Sequence, residues 1–232
     1  MTENISSQLK IASAFVFIGF LMTIGMAVGT ITDPEGGQFH EPMDPQIIIN
    51  RLASADIGEL YAGLTGVVID TFFIVGYIAI FYGIFLLIRD EDPFFPKLGF
   101  ILGITTGMCD MIENAIHVAL YAGVPNGWTP DGLLFASLWS FTFIKDLISY
   151  MAGMIFVVML LMTLDGPSKI KLYKIALAVL IGFYVGLGSI AVVENSLLVL
   201  RNLSFMIDML FGAIILNRLS SIFKSDVELT EN

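Results

Sequence analysis

Long charge-free stretches separated by short polar ones dominate the chain. Residues 11–32, IASAFVFIGFLMTIGMAVGTIT, carry no charged side chain, and the stretch from 60 to 88 carries Asp70 alone. A helix needs about 20 apolar residues to cross a hydrocarbon layer of about 30 Å, so both runs are long enough to span. Further runs bring the expected spans to six, near 11–32, 62–88, 98–122, 134–163, 175–198 and 203–222. Lys10 before the first run and the small residues Ala27 and Gly29 near its end resemble a secretory signal. The run exceeds the 7–15 residues typical of such a segment and reads as the first membrane helix.

The pattern predicts an all-α polytopic integral membrane protein, a single six-helix bundle over 1–224 with an outer loop at 33–61 and a disordered tail at 225–232. Within the loop, Asp44 followed by Pro45 has the form of an N-cap with proline at the first helical position. PQIIINRLA therefore reads as a short helix lying at the outer surface. The loop's acids Asp33, Glu35, Glu41 and Asp44, with His40, form a solvated acidic segment in preference to a cation site. Trp128, in the second outer loop, falls at the depth of an interfacial anchor.

Orientation follows from the cations. Lys10, Arg89, Lys97, Lys169, Lys171, Lys174, Arg218 and Lys224 share one side, whereas Arg51 and Arg201 are on the other and Lys145 lies within a span. Both termini are then cytoplasmic by the positive-inside bias, and the expected location is a prokaryotic plasma membrane. A chain 56% hydrophobic and 14% charged agrees with membrane residence. The net charge of −10 argues against a nucleic-acid partner, which calls for a basic surface. A lone cysteine, Cys109, and two histidines supply neither two-haem ligation nor a thiolate-rich zinc site.

Polar residues inside the spans carry the chemistry. Asp110, Glu113, Asn114 and His117 fall within one stripe about 100° wide on the third span, and Gly107, Gly103 and Gly99 continue it toward the cytoplasm. Such a face must point into the bundle, its glycines admitting close neighbours and its polar half meeting partners or water. The second, fourth and sixth spans each carry an aspartate, namely Asp70, Asp146 and Asp208. The third and fifth each carry a Glu-Asn pair, Glu113–Asn114 and Glu194–Asn195, which suggests an internal repeat of helical hairpins. All six carboxylates fall in the outer half of the bilayer, where they are expected to converge on one polar chamber.

An aspartate at mid-membrane costs about 2.5–3.5 kcal/mol, so Asp70, Asp110, Glu113 and Asp146 together represent at least about 10 kcal/mol before partners are counted. Lys145 is expected to meet a carboxylate of a neighbouring helix. Asp70 shares a face with Phe73 and Tyr77, which suggests a carboxylate–tyrosine bond. Asp146, with Ser149, Tyr150 and Gly153 along its face, reads as a cavity wall. Asp208 reads as an acid near a helix N-terminus, stabilised by the dipole, and Glu194 as an outward acid or a partner of Arg201. Asp110, Glu113 and His117 form a possible metal set, although the Glu-x-x-His spacing of helical di-metal sites is absent.

The foremost expectation is a small transporter or proton- or cation-coupled carrier, its site built from Asp70, Tyr77, Asp110, Glu113, Asn114, His117, Lys145, Asp146 and Tyr150, with Glu194, Asn195, Arg201 and Asp208 secondary. An enzyme acting on a lipid or amphiphile with the same acids is the first alternative. A non-catalytic subunit docking another membrane protein is the second. No phosphate loop, nucleophile elbow or His-Glu-x-x-His motif is present.

Overall fold

A computed structural model describes residues 2–32, 44–191, 194 and 197–230. Seven α-helices and one short 3-10 turn account for nearly all of them, and no strand occurs among the described residues. They are α1 (Thr2–Thr32), α2 (Pro45–Ser54), α3 (Ile57–Ile88), α4 (Phe95–Gly123), α5 (Gly132–Met162), α6 (Ser168–Ala191) and α7 (Leu198–Thr230). Five of the long helices, α1, α3, α5, α6 and α7, are apolar enough to cross a membrane. Each carries a row of exposed large apolar residues, such as Phe15, Phe72, Met154, Phe183 and Phe211, as a lipid-facing surface requires.

Most helices begin ahead of the limits expected from the apolar runs because a helix does not stop where hydrocarbon stops, whereas α6 ends at Ala191, short of the expected 198. Local caps set the ends. Asp56 and Glu59 form a capping box that starts α3 ahead of its apolar run, and Asp131 caps α5 by accepting from the Leu134 N–H at 3.0 Å. The side chain of Asp92 accepts from the N–H groups of Phe94 and Phe95 at the start of α4, both at 2.8 Å. α7 continues to Thr230, so the segment read as a disordered tail is helical up to that residue. No glycine or proline occurs from 213 to 230, and extending a helix already formed is far easier than starting one. The acidic residues 33–43 and His40 lie outside the described residues.

Packing closes the six long helices into a ring in the order α1, α3, α4, α5, α6, α7 and back to α1. Its interior is filled rather than hollow. Phe205 contacts Phe73 at 5.3 Å and Tyr184 at 4.8 Å between ring centroids, and Phe81 stacks on Phe156 at 5.7 Å. α1 crosses α3 at a pair of glycines, where a Cβ on Gly76 would lie 2.5 Å from the Gly19 Cα. Only hydrogen fits there, and the crossing brings the two backbones together as small residues do between membrane helices. α2 lies across one end of the ring, with Asp44 capping it as expected and Ile48 and Leu52 buried against Leu120, Tyr121, Phe135 and Leu138.

α4 differs from its ring neighbours in lacking a sufficiently apolar window, because its polar stripe dilutes it. That stripe faces inward. Asp110, Glu113, Asn114 and His117 are all buried, while Ile101, Met108, Met111 and Val118 are exposed on the opposite side. The glycines below the stripe receive side chains of α3 and α5: Gly103 lies under the ring of Phe81, and Gly99 under that of Phe156.

Candidate functional site

Lys145 is the centre of the buried charge. Its ammonium lies 2.7 Å from Asp110 Oδ1 and 2.8 Å from Glu113 Oε2, bridging two carboxylates that are one turn apart on α4. The side chain of Glu113 is wholly buried, and those of Asp110 and Lys145 are only 6% and 15% exposed. Lys145 thus meets carboxylates of a neighbouring helix, as its position ahead of Asp146 suggested. The other oxygen of Asp110 accepts from Tyr77 OH at 3.0 Å.

Asp70 takes a different partner from the expected one. Tyr77 lies seven residues further along α3, a rise of about 10 Å, too far for its hydroxyl to turn back to that carboxylate. The amide of Asn114 reaches across from α4 instead and donates to Asp70 Oδ2 at 2.8 Å. Its carbonyl oxygen, Asn114 Oδ1, is buried and has no hydrogen-bond partner among the described residues. His117 turns its Nδ1 to the backbone carbonyl of Glu113 at 3.0 Å. Asp110, Glu113 and His117 therefore do not form a metal set, since the ammonium of Lys145 stands between the two carboxylates. No group of three metal-ligating side chains comes together among the described residues.

Asp146 belongs to a second group. Arg201 donates from Nη1 to Asp146 Oδ2 at 2.9 Å and to Tyr150 OH at 3.4 Å. Both charged side chains are about one-fifth exposed. The expected pairing of Arg201 with Glu194 gives way to this contact, because α7 begins at Leu198 and its first turn carries the guanidinium over α5. Glu194 is exposed beyond the end of α6, unlike Glu113, which is buried within α4; Asn195 lies outside the described residues.

Asp208 is the third case. α7 starts five residues earlier than its apolar run, which puts Asp208 three turns into the helix and beyond the reach of the terminal dipole. It is 6% exposed and lines a cavity of about 20 Å³ with Ser149, Gly153, Tyr184 and Phe205. Ser149 and Gly153 are thus a cavity wall as read from the sequence, whereas Asp146 and Tyr150 face Arg201.

No protein-family model, curated protein or solved structure matches this chain.

Chemistry must therefore be read from the geometry alone. The structure joins Asp70, Tyr77, Asp110, Glu113, Asn114 and Lys145 across α3, α4 and α5, keeps Asp146, Tyr150 and Arg201 as a neighbouring pair system, and sets Asp208 apart. Thr71 and Tyr184 were not singled out in the sequence. Thr71 lies 3.4 Å from the Asn114 amide, and the hydroxyl of Tyr184 lies 3.3 Å from Ser149 Oγ. Their only prior signal is a hydroxyl on a face that neighbouring helices cover.

Proposed function

We propose that this chain is a six-span membrane protein whose α3–α4–α5 cluster takes up a small cation, or a proton in its place, during transport across the bilayer. α4 serves as the sixth span: at 29 residues it is about 43 Å long, and its acids point away from lipid. Lys10, Arg89, Lys97, Lys169, Arg218 and Lys224 gather where α1, α4 and α6 begin and α3 and α7 end, which supports cytoplasmic termini. A prokaryotic plasma membrane remains the proposed location.

The observation that carries this reading is the excess of acceptors in one buried cluster. Asp110 and Glu113 share the ammonium of Lys145, and next to them on α3 and α4 lie Asp70, bonded to the Asn114 amide, and Asn114 Oδ1, which has no partner among the described residues. Lys145 holds the place that a solute cation would take between Asp110 and Glu113, and a buried carbonyl with nothing to accept from suits a ligand that donates hydrogen bonds. Entry of a cationic solute would release the lysine side chain or a proton, and either change alters the charge that α4 and α5 share.

The test is proton movement in proteoliposomes holding a pH-sensitive dye, challenged in turn with alkali cations and small organic amines. Cation-dependent proton release that disappears in Asp110→Asn and Glu113→Gln is expected. Failure of every cation to move protons in protein that is folded would refute the reading.

A second reading, a non-catalytic membrane subunit, is favoured by the closed contacts of Asp146 with Arg201 and of Asp70 with Asn114. It predicts silence in the same assay and co-purification with another membrane protein.

A further inference from the structure

The cavity beside Asp208 is separate from the Lys145 cluster and stands independently of the transport reading. Seven of its ten lining residues are apolar, among them Gly153 and the thioether of Met209; the others are Ser149, Tyr184 and Asp208. Among the described residues Asp208 has neither a hydrogen bond nor an ion pair, although it is 94% buried by its 6% exposure. A carboxylate in such surroundings must be neutralised, bound or solvated from within.

The cavity's size and walls select among these. At about 20 Å³ it has room for one water molecule. A hard metal cation such as calcium or magnesium requires about six oxygen ligands, and an ordered water needs about two to four polar partners; the cavity surface is almost wholly apolar and supplies neither set. A proton needs a single oxygen. The two hydroxyls have partners of their own: Ser149 Oγ is 3.3 Å from Tyr184 OH and donates to the backbone carbonyl of Asp146 at 2.8 Å.

We propose that Asp208 forms a proton-binding site, in which the carboxyl group, buried without a partner among the described residues beside an apolar cavity, holds one proton and exchanges it with solvent water. On release, the O–H bond of the carboxyl breaks, its electron pair stays on the carboxylate, and solvent water takes the proton; uptake is the reverse. The titratable and charged neighbours are few. α3 faces the cavity with Ile80, Phe81 and Ile84, and its nearest titratable group, Tyr77, is bonded to Asp110. α5 carries Asp146 and Tyr150 one turn away, both engaged by Arg201 of α7, and α6 contributes Tyr184. α1, packed along α7, has no charged residue from 11 to 32.

Infrared spectroscopy of the full chain in lipid nanodiscs tests the proposal, using the C=O stretch of a protonated carboxyl group and its shift in D2O across an acid-to-alkaline titration. The expected result is a reversibly titrating band that is lost in Asp208→Asn and kept in Asp146→Asn. Ser149→Ala and Tyr184→Phe, whose hydroxyls are bonded away from Asp208, are expected to leave the band in place. Should Asp208→Asn fail to fold, Asp208→Glu replaces it and must move the band. A band unchanged by substitution at position 208, or no protonated-carboxyl band at any pH where the helices persist, overturns the proposal.

Discussion

Replacing Lys145 by methionine keeps the length of the side chain and removes the charge on which Asp110 and Glu113 depend. Its contacts at 2.7 and 2.8 Å are each worth about 6 kcal/mol of attraction at an effective dielectric constant of about 20. Taking three ions out of water costs several kcal/mol for each, so the intact cluster contributes little net stability. The balance changes when one member goes. Two carboxylates, 6% and 0% exposed, then remain without their cation, and the expected loss is about 3–5 kcal/mol of unfolding free energy. Combining Lys145→Met with Asp110→Asn and Glu113→Gln removes the uncompensated charge and should bring stability back to within about 1–2 kcal/mol of the native chain. Reversible unfolding in mixed detergent micelles, followed by far-ultraviolet circular dichroism, measures both. A loss below about 1 kcal/mol in the single variant, or an equal loss in single and triple variants, would refute the idea that the ammonium neutralises this pair.

Two further substitutions probe the ring with the same unfolding measurement. Gly76→Val places a side chain where a Cβ already meets the Gly19 Cα at 2.5 Å, and should cost at least about 1–3 kcal/mol, whereas Gly66→Ala, with nothing within 4 Å, should stay within about 0.5 kcal/mol. Lys174 is buried and its ammonium donates to the carbonyl and hydroxyl of Thr163 at 2.5 and 3.1 Å, closing the end of α5; Lys174→Met should cost about 1.5–3 kcal/mol. Its other contact, Glu91 at 3.6 Å, is 40% exposed, and Glu91→Gln should change stability by less than about 1 kcal/mol.

The apolar runs made the long helices legible because length and hydropathy alone decide whether a segment can cross a bilayer, and a helix periodicity placed Asp110, Glu113, Asn114 and His117 on one inward face. Caps were legible where their chemistry is local, as at Asp44 and Pro45. Helix ends elsewhere were not, since the apolar run of α7 starts at 203 while its helix starts at Leu198, and those five residues carry Asp208 from the first turns into the third. Reading Asp208 as a dipole-stabilised acid was an error of register, not of chemistry.

Partner choice across helices was the part the chain could not reveal, and Asp70, Tyr77, Asp110 and Asn114 show why. Periodicity puts Asp70 and Tyr77 on one face of α3 and Asp110 and Asn114 on one face of α4, which leaves two ways of joining them. A four-residue step along α4 is about 6 Å, and the seven-residue step along α3 about 10 Å. Antiparallel helices therefore match Asp70 with Asn114 and Tyr77 with Asp110 only in the register that also seats Phe81 against Gly103. The glycines set how closely and where α3 and α4 meet, and the polar contacts follow from that. A bulky residue at position 103 should for this reason disturb the bonds of Asp70 and Asp110 about two to three turns away along the ring wall, although it touches neither carboxylate. Infrared bands of those carboxyl groups in Gly103→Leu, compared with the native chain, measure this coupling, and unchanged bands in a folded variant would show that the polar partners choose their register without help from the glycines.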